Sequence, residues 1–234
     1  MTKDSREEIL RKVKLGLYGD PEHKEGSIPI RDEGRDFRRE AEELEKDRLL
    51  HIDSLIESFI KELLHVNTAV HSTETEDELR SYIIGLVREK GISSFVMWES
   101  DYLNSLGLKE LLKEEGLRQI ISNDKNDIAE AGIGITGADY AIADTGTLVL
   151  LTDEDRPRSV SLLPPVHLAI IRKSYIVIDI KELFIILKQR LDAGHDPPSC
   201  MTFITGPSRT ADIELNLTLG VHGPKELYVI ITDK

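Results

Sequence analysis

Thr75-Glu76-Asp77-Glu78-Leu79-Arg80-Ser81-Tyr82-Ile83-Ile84-Gly85-Leu86-Val87-Arg88-Glu89-Lys90-Gly91-Ile92-Ser93-Ser94-Phe95-Val96-Met97-Trp98 spells a helix, a stop and a strand. Thr75 with Glu78 has the spacing of a capping box, in which each side chain satisfies a backbone N–H at the helix start. Leu79, Tyr82, Ile83, Leu86 and Val87 recur at intervals of a helical turn and give one apolar face. Gly91 is placed to end that helix. Ser94 to Trp98 is then an apolar run of strand length. The pattern repeats: Leu103 to Leu112 reads as a helix stopped near Gly116, Leu117 to Ile121 as a strand, and Asn126 to Ala131 as a short helix. Alternation at this pace predicts an α/β fold with a mixed, mostly parallel sheet flanked by helices.

Outward from that stretch, Ala138 to Ala143 and Thr147 to Thr152 are strand-like and join through Asp144-Thr145-Gly146, which predicts a hairpin or a sharp bend. A charged loop, Asp153 to Arg158, leads to Leu162-Leu163-Pro164-Pro165. Val166 to Ile171 and Tyr175 to Ile178 continue the sheet, and Asp179 can cap a helix from Lys181 to Leu191 that ends near Gly194. Met201 to Ile204 and Leu227 to Ile231 complete the strands. Upstream, the first 50 residues are dense in charge, and Tyr18 to Gly34 reads as a loop or an arm ordered by a partner. Ile52, Leu55, Ile56, Phe59, Leu63 and Val66 predict an amphipathic helix from about Arg35 to about Val66, packed on its own domain or against another subunit. The chain thus divides into a charged arm and helix, 1–67, and an α/β domain, 68–234.

Thirty Lys and Arg against 43 Asp and Glu give a net charge of −13, which disfavours nucleic acid as a partner, since such binding uses many cationic phosphate contacts. The only cysteine, Cys200, cannot by itself hold an iron–sulfur cluster or a structural zinc. No two histidines have the spacing of a metal-binding helix, so no metal site is expected, and there is no P-loop or dinucleotide fingerprint to call for a nucleotide cofactor. No apolar run approaches the roughly 20 residues of a membrane span. Met1 to Glu8 is too charged for a secretory signal, and the cytoplasm is the expected compartment.

Chemistry is concentrated near the C-terminus. Thr205-Gly206-Pro207-Ser208-Arg209-Thr210-Ala211-Asp212-Ile213-Glu214 is followed closely by Gly220-Val221-His222-Gly223-Pro224. A strand feeding a Gly-Pro turn, with Ser208 and Thr210 able to cap a helix start and Arg209 able to fork onto a carboxylate or phosphate, predicts an anion pocket from Gly206 to Thr210, with Asp212 beside it. Arg209 could instead be a surface partner of Asp212 or Glu214, a pairing usually worth little. His222 is a proton carrier by chemistry and a turn residue by position. His167, after Pro164-Pro165, is a second and weaker candidate. The Gly-rich segment from Gly132 to Gly146 lets backbone approach a ligand, with Thr136, Asp144, Thr145, Gly146 and Thr147 supplying polar atoms; its glycines could equally serve tight turns alone. Cys200 reads as a small buried side chain rather than a nucleophile.

These two segments, Gly134 to Leu148 and Thr205 to Pro224, in this order and spacing, resemble the LUD-domain family, with the likeness running from about Thr68 to the C-terminus. The resemblance implies a fold similar to ribose-phosphate isomerases, glucosamine-phosphate deaminases and CoA transferases. It also implies one pocket around Thr136, Asp144, Thr145, Thr147, Ser208, Arg209 and His222, with His222 and Asp144 as catalytic candidates. For function it implies a component of an L-lactate utilization system, without redox centres of its own, that helps oxidise lactate to pyruvate together with iron–sulfur partner proteins. The ligand would be lactate, pyruvate or a phosphate compound. Whether copies of the chain assemble is left open. Two alternatives stand beside this: a free-standing enzyme or sensor for a phosphorylated sugar or acyl-CoA, and a scaffold with a vestigial pocket. A CoA transferase would carry a glutamate nucleophile in a suitable motif, and none is identifiable.

Overall fold

The computed structural model of the chain describes residues 36–122, 124–211, 217–219 and 222–233. Helices α1 (Phe37–Leu50) and α2 (Ile52–His65) lead into β1 (Ala69–Thr73), α3 (Glu76–Glu89) and β2 (Ser94–Met97). Next come α4 (Asp101–Ser105), α5 (Leu108–Glu114), β3 (Arg118–Gln119), α6 (Lys125–Ala129), β4 (Ile133–Gly137), β5 (Tyr140–Ile142) and β6 (Thr147–Thr152). The chain continues through α7 (Ser159–Leu162), β7 (Val166–Arg172), a 3₁₀ turn (Lys173–Tyr175), β8 (Ile176–Val177) and α8 (Ile180–Asp192). It closes with β9 (Cys200–Ile204), β10 (Arg209–Ala211), β11 (Leu217–Leu219) and β12 (Glu226–Thr232).

Six strands form one wholly parallel sheet in the order β1-β12-β7-β4-β2-β3. Helices cover it, so its inner strands are buried on both faces and read as continuous apolar runs, such as Leu168-Ala169-Ile170-Ile171 of β7. A second sheet, β8-β5-β6-β9, is mixed: β8 runs parallel to β5, and the β5–β6 hairpin and β9 are antiparallel. The expected α/β fold with a mostly parallel sheet and flanking helices is therefore the one observed. Both predicted caps are present: Thr75 accepts from Glu78 N–H while Glu78 reaches back, and Asp179 accepts from Lys181 and Glu182 N–H at 2.9 Å each. No helix among the described residues is long and apolar enough to cross a membrane.

Four local expectations need correction. The single helix over 35–66 is two helices separated at His51, whose backbone leaves helical geometry. The break follows from two packing targets. α1 lies against α8, held by the buried pair Arg48 Nη1 to Glu182 Oε1 at 3.3 Å, whereas α2 buries Ile56, Phe59 and Leu63 in the main core. The helix at Leu103 to Leu112 is likewise two, α4 and α5, turning where Arg80 takes the Leu106 carbonyl at 3.1 and 3.2 Å. Ala69–Thr73 forms an edge strand, β1, that its weak alternation did not announce. Finally, no helix starts at Ser208 or Thr210: Arg209–Ala211 is a strand, β10, paired antiparallel with β11. Ladder pairing satisfies the backbone groups that a helix start would have left free for an anion.

Candidate functional site

The loop after β9 and the turn before β12 meet at the amino ends of β7 and β12. Ser208 N–H donates to the Pro224 carbonyl at 2.9 Å, and Gly223 packs so closely on Ser208 that a Cβ there would lie 3.0 Å from the Ser208 Cβ. Between them lies a cleft of about 220 Å³ lined by Gly206, Pro207, Ser208 and His222 together with Thr205 and His167. His167 forms the floor. It is 1 % exposed, and its Nε2 lies 2.8 Å from Thr136 Oγ1, while Nδ1 has no partner among the described residues. Burial pushes the His167 imidazole down to about 3, so the ring is neutral at physiological pH and cannot supply a cation to the cleft.

A second group of the predicted residues gathers one step away, at the C-terminal turn of α2. Thr147 Oγ1 is 2.8 Å from both Thr145 Oγ1 and Thr205 Oγ1, a chain of hydroxyls that links the β5–β6 turn to the loop before the cleft. Gly146 touches the Glu62–Leu63 backbone, which a Cβ would approach to 2.9 Å. Gly206 has φ +84 and faces Val66 in the same way, with a Cβ at 2.9 Å from the Val66 Cβ. Both glycines are thus required by close approach and by a positive φ, +61 at Gly146 and +84 at Gly206, that L residues rarely adopt. Arg209 is exposed and donates to the Val66 carbonyl, where a cation meets the negative end of α2.

Most of the predicted residues lie in one region, but as two separate groups rather than one pocket. Gly206, Pro207, Ser208 and His222 line the cleft, with Thr136 behind its floor. Thr145, Gly146, Thr147 and Arg209 stand around the end of α2, and Asp144 is exposed on the β5–β6 turn, outside the cleft. Thr210 contributes backbone to β10, and Asp212 lies outside the described residues. Sequence reasoning placed His167 below His222 and did not single out Thr205 or Ser161, and all three of these line the cleft with His222. The Thr205 signal was present, a hydroxyl at the end of a strand just before Gly206. What the cleft offers chemically is hydroxyls and the exposed His222 imidazole, a set suited to hydrogen-bonding a small polar or anionic molecule. Among the described residues no group of three or more His, Cys, Asp or Glu is placed to hold a metal ion.

The sequence profile of the LUD domain matches residues 56–232, which includes every residue of this region. The chain belongs to the LUD domain family. It is 36% identical over 193 residues to the lactate utilization protein C of Geobacillus sp. (strain WCH70), a match spanning 78% of this chain and 80% of the relative. The protein of the same name from Halalkalibacterium halodurans is 35% identical over 187 residues, covering 78% and 81%. In three dimensions the LUD domain of this chain shares its fold with a DUF162 family protein from Deinococcus radiodurans, with a TM-score of 0.57 at 22% identity, over 77% of this chain and 98% of the other.

The neutral floor of this LUD domain carries a pH prediction. An unfolded histidine takes up its proton as pH falls through about 6.5, whereas folded His167 does so only near 3. Stability from this residue is therefore full above about pH 6.5 and is progressively lost as pH falls toward 3. His167→Gln, which keeps an amide nitrogen to bond Thr136, should flatten the dependence of unfolding free energy on pH between about 6 and 4. Parallel slopes for parent and variant in denaturant titrations would refute the assignment.

Proposed function

We propose that the protein is a component of a lactate utilization system, one that binds a small anionic metabolite and moves no electrons through centres of its own. What supports the role is the relatedness to proteins called lactate utilization protein C across most of both chains. The chain carries one cysteine, fewer than an iron–sulfur cluster takes, so electrons from lactate would pass to clusters on partner proteins. The cleft at Ser208 and His222 is the reading's ligand site. Its volume of about 220 Å³ suits a molecule the size of lactate or pyruvate and falls below the 300–1,000 Å³ usual for drug-sized ligands. That size argues against the alternative of an acyl-CoA.

Two measurements test the proposal. Deleting the gene should abolish growth on L-lactate and leave growth on pyruvate intact. In vitro, lactate-dependent reduction of an artificial acceptor should require an iron–sulfur partner that co-purifies with this chain. Reduction by the chain alone, free of flavin and iron, would overturn the reading. Within the cleft, Ser208→Ala combined with His222→Ala removes two hydrogen bonds worth about 0.5–1.5 kcal/mol each. Calorimetric titration with lactate and pyruvate should show roughly a 5- to 150-fold loss of affinity.

A further inference from the structure

At the opposite end of the parallel sheet, the carboxyl ends of β2, β4 and β7 enclose a second cavity of about 250 Å³. From β2 the chain steps outward to β3 and then returns to β4 on the other side of β2, so the direction of winding reverses between these two strands. Open α/β sheets bind ligands in the crevice at such a reversal, outside the carboxyl ends of the strands. The walls are aromatic: Trp98 follows β2, Tyr102 lies on α4 and Tyr175 closes the 3₁₀ turn.

Three arginines reach this cavity against a single acid, Asp139. Their situations differ. Arg156 is fully engaged, with Nη1 on Asp139 at 2.8 Å and Nε and Nη2 on Asp153 at 2.8 and 2.6 Å. Asp139 is itself spent on that contact and on Leu151 N–H at 2.7 Å. Arg190, on the rim, has the Tyr140 hydroxyl at 3.2 Å. Arg172, the last residue of β7, is held between two rings, its guanidinium carbon 4.6 Å from the centre of Tyr102 and 4.3 Å from that of Tyr175. Among the described residues it makes no ion pair and no side-chain hydrogen bond. A half-buried guanidinium, oriented by aromatic stacking and lacking an anion, is a pre-organised fork for a planar oxyanion. The neighbouring Tyr102 hydroxyl is buried without a partner among the described residues, and burial holds its pKa above the ordinary phenol value, so it adds no negative charge.

We propose that this cavity is a binding site for a small monocarboxylate, with Arg172 forking onto the carboxylate and the aromatic walls taking the apolar remainder. Arg172 is the one half-buried cation of the cavity without a counter-ion among the described residues, Arg190 being solvent-exposed and likewise without an acid partner among them, and its place among three rings matches a singly charged, partly apolar acid. A phosphate dianion would call for more donors than Arg172 provides. The cavity holds the equivalent of about eight waters, which limits the ligand to a short chain. This site is separate from the cleft at Ser208 and His222, and the proposal stands whether or not that cleft binds lactate.

Trp98, the only tryptophan of the chain, forms a wall of the cavity and reports on it. The full-length protein should change its tryptophan emission saturably on titration with propionate or lactate, and not with inorganic phosphate at the same ionic strength. Arg172→Gln and Arg172→Lys should each raise the apparent Kd at least about tenfold, because the fork is lost in both. The melting temperature of each variant shows whether it is folded, and the Lys variant, which keeps the charge, serves if the Gln variant is not. Ser208→Ala with His222→Ala, at the other end of the sheet, should leave the emission titration unchanged. Absence of a saturable response in the parent, equal response to phosphate, or unaltered affinity in both folded Arg172 variants would each overturn the proposal. A response abolished by the Ser208 and His222 changes would overturn it too, by assigning the signal to the cleft.

Discussion

Gly134→Ala is expected to lower the melting temperature by roughly 6–12 °C, or to leave the protein insoluble, although it adds a single methyl group. Gly134 sits in β4, beside α7, and a Cβ there would lie 2.0 Å from the Val160 carbonyl oxygen and 3.0 Å from Pro164 Cγ. The first of these is backbone, so no rotamer change relieves it. Either β4 or α7 has to move, and both belong to the packed core: Ile133, Ile135 and Val160 are at most 2 % exposed. Overpacking commonly costs about 1–3 kcal/mol, and a clash between main chains belongs at or above the top of that range. The pairing of Gly134 with His167 in the sheet carries the displacement to the cleft floor. Gly85→Ala is the informative control. Nothing lies within 4 Å of a Cβ at that position of α3, and the change should stabilise the protein by about 0.5–1 kcal/mol. A melt in which both variants behave alike would refute the packing argument.

Phe59→Ala should reduce the free energy of unfolding by about 3–5 kcal/mol in denaturant titrations. Phe59 and Leu63 are both 0 % exposed within the single chain, and Ile56 is 8 % exposed. The apolar face of α2 is thereby spent on its own core, which decides between the two readings that its periodicity allowed. Removing the ring leaves a cavity that the sheet beneath can only partly fill. Leu64, on the outer side of the same helix, is 57% exposed, and Leu64→Ala should change stability by no more than about 0.5 kcal/mol. Were Phe59→Ala to alter the oligomeric state at unchanged stability, α2 would be a subunit contact after all.

Much of the fold was legible because its signals are local. The Thr75–Glu78 capping box, the Asp179 cap and the apolar runs of β2, β6 and β7 each lie within a few residues, and each formed where the pattern placed it, whereas β4, inside the Gly-rich segment, was not read as a strand. The region of the candidate site was legible for a similar reason, since glycine, proline and hydroxyl residues cluster where strands end. Its internal arrangement was not. Arg209 next to Ser208 in sequence turns to the Val66 carbonyl because β10 pairs with β11, and a strand sends neighbouring side chains to opposite faces. His51 breaks a continuous helical pattern because α1 and α2 find different partners.

The linear order of residues was thus enough for most of the helices and strands, the mostly parallel α/β class and the segments that carry polar chemistry, because periodicity, caps and turn residues act over one or two turns of chain. Which of those segments meet was settled in three dimensions. Arg172 stands between Tyr102 and Tyr175, and Thr136 under His167, through strand order and register across β7, β4 and β2. Those pairings follow from how crossover helices pack over the whole sheet, a free energy shared among residues far apart in the chain and so written in no single stretch of it.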